Sequence, residues 1–276
     1  MRRMTLLFTL LSLSGGAVQA ALTWQPAPPE PTQQGGAHQG HAGHGAQRGG
    51  KPFLLQEGAG AEAEIWLPTL QRRPLQVDEG GRVRVGGTGS DNYHLLYAKK
   101  SEGGREQVAL RYPYQRGKPS GESPSLLVNQ DKTALEIIPA PLTREHQRYN
   151  SLKPYDFIVR FNAEPLAAQP VTLRSSNGSE INGNTNHQGR ITFHLPDDFG
   201  EVEAGRRSNP PAEFVLETAH QADGRQYQTT LSAPYYVNPS HWRSTGGGLA
   251  AMFAGVVTGF VVLRRSQKGN DSAGRA

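Results

Sequence analysis

No cysteine occurs among the 276 residues. Disulfides, thiolate metal centres and a cysteine nucleophile are therefore excluded, whatever compartment the chain occupies. Catalytic signatures are missing too. There is no Gly-x-Ser-x-Gly, no His-Glu-x-x-His, no Walker loop, and no Gly-x-Gly-x-x-Gly opening a helix after a strand. Paired acids such as Asp197-Asp198 and Asp78-Glu79 fall in polar stretches, where solvated surface groups are expected rather than acid/base partners. The sequence thus argues against an enzyme. A basic patch is also lacking: the net charge is +5, but Lys and Arg are dispersed among 24 acidic residues, so no nucleic-acid partner is expected.

Long apolar runs are scarce, and the longest organises the chain. Residues 246–263 carry no charge and are followed at once by Arg264 and Arg265. As a helix this run covers roughly 27 Å, close to the hydrocarbon thickness of a bilayer. The arginines favour a cytoplasmic tail at 264–276. The Ser-Thr-Gly-Gly-Gly ahead of the run also resembles bacterial sorting tails that are cut near paired glycines. At the other end, Arg2 and Arg3, a short apolar core and a small-residue end at Ala20 read as a secretory signal over 1–20. The expected topology is a single-pass inner-membrane protein with its bulk on the periplasmic side. Ala251, Gly255 and Gly259 recur every fourth residue and offer a face through which two such helices could pair as a homodimer.

Residues 21–52 are rich in Pro, Gln and Gly, and too few apolar groups are present to offset the entropy of ordering. A disordered arm is expected there. It carries His38, His41 and His44, three imidazoles at every third position. Small residues between them let all three converge on one Ni, Co, Cu or Zn ion; the bland alternative is a hydrophilic spacer.

From residue 53 the pattern is of short alternating runs punctuated by Gly, Pro, Asn and Asp, with no 3.6 period. Strands are expected at 64–67, 82–85, 93–98, 108–112, 126–129 and 135–138, then at 156–161, 171–174, 190–195, 213–218 and 227–237. This predicts an all-β fold of two small β-sandwich domains in tandem, 53–150 and 151–240. Asp223-Gly224 predicts a tight hairpin pairing His220 with Tyr227. Alternation turns Ile191, Phe193 and Leu195 inward and His194 outward. Spacing leaves open whether His187, His194 and His220 form a second metal site.

Leu135-Glu136-Ile137-Ile138-Pro139, the run 157–173 with Glu164-Pro165-Leu166, and Thr185-Asn186-His187-Gln188-Gly189-Arg190 carry a resemblance. Together they resemble a bacterial periplasmic domain family known as a cobalt/nickel transport accessory component. The second half is similar to transthyretin-like and carboxypeptidase-regulatory sandwiches. The resemblance implies metal binding and hand-over to a metal permease. One departure is visible: the family commonly has a His just ahead of the strand that here reads Ala63-Glu64-Ile65-Trp66-Leu67, so the arm histidines would replace it. The alternatives are a metal-free adhesive or spacer module, or a sensor or assembly subunit acting through its transmembrane helix.

Overall fold

The structure, a computed structural model, describes residues 20–28, 50–143, 148–205 and 207–242. The signal at 1–19, His38, His41 and His44, the apolar run 246–263 with its Ala251, Gly255 and Gly259, and the tail 264–276 lie outside the described residues. Among the described residues no helix is long and apolar enough to cross a membrane.

The fold is all-β. In chain order the strands are β1 (Thr23–Pro26), β2 (Lys51–Gln56), β3 (Glu62–Trp66), β4 (Arg72–Leu75), β5 (Arg82–Val85), β6 (Ser90–Tyr93), β7 (Leu95–Glu102), β8 (Arg105–Arg111), β9 (Tyr114–Gln115) and β10 (Lys118–Pro119). After helix α1 (Pro124–Asn129) follow β11 (Leu135–Pro139), β12 (Tyr149–Asn150), β13 (Pro154–Phe161), β14 (Glu164–Pro165), β15 (Pro170–Ser175), β16 (Glu180–Asn184), β17 (Arg190–His194), β18 (Ala212–Ala222) and β19 (Arg225–Tyr236).

One nine-stranded sheet runs through the molecule in the order β16-β15-β18-β19-β8-β7-β3-β4, with β12 added beside β19. Its centre is the parallel pairing of β19 with β8, from Gln226 opposite Arg105 to Ser232 opposite Arg111. The sheet therefore takes strands from both sides of residue 150. The division expected there does not interrupt it: β11, from the first half, pairs along its whole length with β13 of the second.

Period-two alternation explains the layers. In β7, Leu95 and Tyr97 enter one core while Leu96 and Ala98 enter another, and in β8 Val108 and Leu110 are separated in the same way from Ala109. The large sheet is thus buried on both faces at β3, β7 and β8. The sheet β1-β2-β5 covers one face with Leu22, Trp24, Phe53, Leu55, Val83 and Val85. The sheet of β11, β13, β14 and β17 covers the other with Leu135, Ile137, Phe157, Val159, Ile191 and Phe193. Phe214 meets Tyr149, Phe157 and Tyr235 edge to face within this larger core, with centroids 5.1–6.3 Å apart, while Tyr149 stacks on Phe157 at 6.3 Å. Each large side chain so buried contributes roughly 1.5–3 kcal/mol.

Three local expectations need correction. The start of the arm is ordered: Thr23–Pro26 is a strand pairing with β2, because Leu22 and Trp24 have a core to enter. Residues 126–129 lie in α1 rather than a strand. Ser123 caps the helix by accepting from Ser125 N, and Pro124 stands in its first turn, a start signal that outweighs the short apolar run. The strand expected over 93–98 is split at His94, whose N–H turns to Pro113 O at 2.9 Å.

The hairpin is as expected. His220 pairs with Tyr227, and Asp223 and Gly224 both hold positive φ, 50° and 72°. In β17, Ile191 and Phe193 point inward while Thr192 and His194 are exposed.

Candidate functional site: a tyrosine- and proline-lined groove

A concavity of about 1300 Å³ opens where the end of the β11–β13–β17 sheet faces the short strands β6, β9 and β10. One wall is built from Ile138 to Thr143 leaving β11, with Asp156 and Ile158 of β13 and Arg190 of β17. The other comprises Asp91 to Tyr93, Tyr114, Pro119 to Glu122, and the α1 residues Val128 and Asn129. Four prolines, Pro119, Pro124, Pro139 and Pro141, stiffen its rim.

Buried polar side chains fix the second wall. His94 is fully buried, its Nε2 2.6 Å from Thr88 Oγ1 and its Nδ1 3.1 Å from Asn92 O. Burial pushes the imidazole below its ordinary value; the bond to Asn92 O opposes this and nearby Arg73 adds to it. Gln115 Oε1 accepts from Thr88 N and Oγ1 at 3.1 and 3.3 Å. Asn92 Nδ2 donates to Ser120 Oγ and Glu122 O, both at 2.8 Å, tying the 119–122 loop to β6. Tyr93 donates to Thr143 O at 2.7 Å, linking the two walls, and meets Tyr114 edge to face at 5.2 Å. Such a satisfied network holds a surface in one shape.

Charge is distributed unevenly. Asp156 accepts from Arg190 at 2.9 Å and from Thr192 at 2.5 Å, so one acid and the one guanidinium of the lining neutralise each other. Asp91 and Glu122 remain on the facing wall, giving the groove three carboxylates against one guanidinium. It favours a cationic occupant.

The histidines singled out from sequence are placed elsewhere. His187 is exposed in the turn before β17 and His194 is exposed at its end, opposite Pro154. His220 packs its ring on Phe161 at 4.8 Å. Among the described residues no group of three or more His, Asp or Glu is arranged to hold a metal ion. The turn between β16 and β17 does show the geometry its residues imply. Asn186 Oδ1 accepts from Gln188 N and Arg190 N at 2.9 and 3.0 Å, and Gly189 takes φ 67°.

The acid pairs are not simply solvated. Asp78 Oδ1 accepts from Gly80 N and Arg82 N at 2.9 and 2.7 Å, closing the turn into β5. Asp198 accepts from Ser175 Oγ and Tyr235 Oη, and Asp197 joins Ser151 and His241, each at 3.0 Å. Partial burial would raise the Asp198 carboxyl, but the hydrogen bonds from Ser175, Tyr235, Ser179 and Asn177 outweigh it and hold it below the ordinary range. These acids lock the loop after β17 to β19.

His94, Asn92 and Gln115 gave no sequence signal, since no motif spacing marks them and their partners come from other segments. The one available hint was the density of Pro, Tyr and Ser over 112–125.

No family model matches the chain, and no curated protein matches it in sequence. Among solved structures, the chain is similar to a Ca²⁺-stabilised adhesin with which an Antarctic bacterium binds ice, at 12% identity and TM-score 0.26, over 81% of this chain and 50% of that one. It is also similar to the D0-D1 domain of intimin, at 10% identity and TM-score 0.26 over 69% and 92% of the two chains. The D00-D0 domain of intimin gives 11% identity and TM-score 0.23 over 63% and 91%. The chain spans about half the length of the ice-binding adhesin. Superposition at this level decides nothing about what this chain binds.

Proposed function

We propose that the protein is an envelope interaction module whose β-built body holds an extended, cationic polypeptide segment of a partner in the groove between Tyr93, Tyr114 and Asp156. The observation that carries this reading is the groove itself: about 1300 Å³, edged by tyrosine and proline, with an excess of carboxylate. Its aromatic and proline walls pack on a backbone without ordering many rotamers. The body would stand outside the cytoplasm, tethered through residues 246–263.

The test is fluorescence anisotropy with labelled peptides of about ten residues that interleave Lys or Arg with Pro, beside acidic peptides of equal length, at two salt concentrations. Basic peptides bind more weakly as salt rises, and Asp91→Lys with Glu122→Lys lowers their affinity about ten-fold or more. Equal binding of acidic and basic peptides, or no effect of the charge reversal, refutes the reading.

A second reading rests on the spacing of His38, His41 and His44: capture of a nickel, cobalt, copper or zinc ion for a metal permease. Calorimetric titration of the full chain beside a variant with all three changed to Ala tests it. No difference in heat between the two dismisses it.

A further inference from the structure

The two edges of the nine-stranded sheet are treated very differently. At one edge β4 reads Arg72-Arg73-Pro74-Leu75, two charges and a proline, the usual devices against strand addition. At the other edge β16 reads Glu180-Ile181-Asn182-Gly183-Asn184, with no proline and no cation, and its one charge is already bound by Arg174 at 3.0 Å. We propose that β16 pairs antiparallel with β16 of a second copy of this chain, about a two-fold axis through Asn182. This stands on the sheet edge alone and is independent of the groove.

Register supports a self-complementary edge. Ladder bonds at Thr185 N to Gln169 O and Ser175 N to Ser179 O, 3.0 and 2.9 Å, set the alternation of β15 with β16. By that alternation Ile181 and Gly183 use their backbone groups toward β15, while Glu180, Asn182 and Asn184 turn theirs outward. A two-fold at Asn182 places these three residues opposite Asn184, Asn182 and Glu180 of the partner subunit. Each is a pair that exchanges two bonds, and no charge faces a like charge.

Side chains agree on both faces. On the outer face Asn182 Oδ1 accepts from Thr172 Oγ1 at 2.6 Å, which leaves its amide N–H groups for Asn182 of the partner subunit. On the inner face Ile181 stands opposite Gly183 of the partner subunit. Gly183 lies over Ile191, where even an added Cβ would come within 2.9 Å of its Cδ1. Together with Ile181, Ile191 and Phe193 it lines a side opening of about 540 Å³. Ile181 of the partner subunit covers that opening with apolar surface.

The chain has no native cysteine, so single-cysteine variants of the full chain in detergent read the register directly. Asn182→Cys places the two Cα atoms about 5.5 Å apart, within disulfide reach, and oxidises to a dimer about ten-fold or more faster than Arg73→Cys on the protected edge. Glu180→Cys alone stays monomeric, because four residues of extended chain, about 13 Å, separate it from its own copy. Mixed with Asn184→Cys it gives the heterodimer. Cross-linking at 182 no faster than at 73, as for an edge that receives some other peptide, overturns the proposal, and so does a disulfide in Glu180→Cys alone.

Discussion

Arg111 of β8 grips Glu213 of β18 across the intervening strand β19, with Nη1 to Oε2 at 2.6 Å and Nη2 to Oε1 at 3.1 Å. The residues are 102 positions apart, and their side chains are only 7% and 15% exposed. Ser232 Oγ accepts a further bond from Arg111, and Phe53 lies under the guanidinium at 5.5 Å. The two halves of the chain are thereby fastened at the parallel seam. Glu213→Ala leaves a nearly buried guanidinium without its counter-charge and is expected to cost about 3–5 kcal/mol. Arg111→Met with Glu213→Leu costs less than Glu213→Ala alone. Urea unfolding of the natural chain and the two variants checks the order; a Glu213→Ala loss no larger than that of the double variant would show the seam to be held by backbone pairing and packing alone.

The cluster beneath α1 sets a pH dependence. Lys132 is lowered to about 8, chiefly by burial, with Arg160 adding to the shift and Glu136 and Asp131 opposing it. Its ammonium donates to Val128 O at 3.0 Å and to Gln130 O, and it stands 3.6 Å from Glu136. In the unfolded chain the same lysine titrates near 10.5. Between these values the unfolded state binds the extra proton, so stability rises with pH from about 8 toward 10, by on the order of 2 kcal/mol. Above about 10 the sign reverses. Burial raises the Tyr97, Tyr149 and Tyr235 phenols, which stay protonated in the fold while unfolded tyrosines ionise. Denaturant midpoints at pH 7, 8 and 9 should climb for the natural chain and stay level for Lys132→Met.

Two glycines with nearly the same φ should respond unequally to alanine. Gly224 has φ 72° and nothing within 4 Å of an added Cβ, so Gly224→Ala costs only the left-handed penalty, about 1–2 kcal/mol. Gly189 has φ 67°, but its Cβ would lie 2.5 Å from Val159 O, and Gly189 O accepts from Val159 N at 2.8 Å. Gly189→Ala must move β13 backbone as well and is expected to lose about 3 kcal/mol or more. Thermal unfolding of both variants decides this; equal losses would mean that the turn relaxes freely.

Sequence revealed the strands that carry their own alternation, and β5 matches the expected bounds. The Asp223-Gly224 turn was equally legible, because its signal is two adjacent residues. What could not be read was pairing between distant segments: β8 beside β19, or β11 joining β13 across the supposed division. Polar groups whose role is to meet a distant backbone were silent for the same reason. Thr229 donates to Leu135 O at 2.6 Å over 94 residues, and nothing in either stretch announces it. The groove suffered most, since its walls come from seven separate elements and its supports are isolated residues such as His94.

Trp24 is the sharpest case of a residue misjudged by composition. Four prolines between 26 and 31 make its surroundings read as an unfolded arm. Yet the indole is fully buried and donates to Ala109 O at 3.2 Å. The strand around it is held from the far side of the sequence: Thr230 Oγ1 donates to Leu22 O and Ser232 Oγ to Trp24 O, each at 2.7 Å over 208 residues. Trp24→Ala would open a cavity among Phe53, Leu55, Val83 and Ala109 and remove the indole hydrogen bond to Ala109 O, a loss of about 3–5 kcal/mol. Ser232→Ala, which removes one donor and little volume, costs about 1 kcal/mol. Chemical denaturation of the two variants measures both. A Trp24→Ala protein as stable as the natural chain would place residues 21–28 outside the core, and the two-sided burial of β7 and β8 would then need another cover.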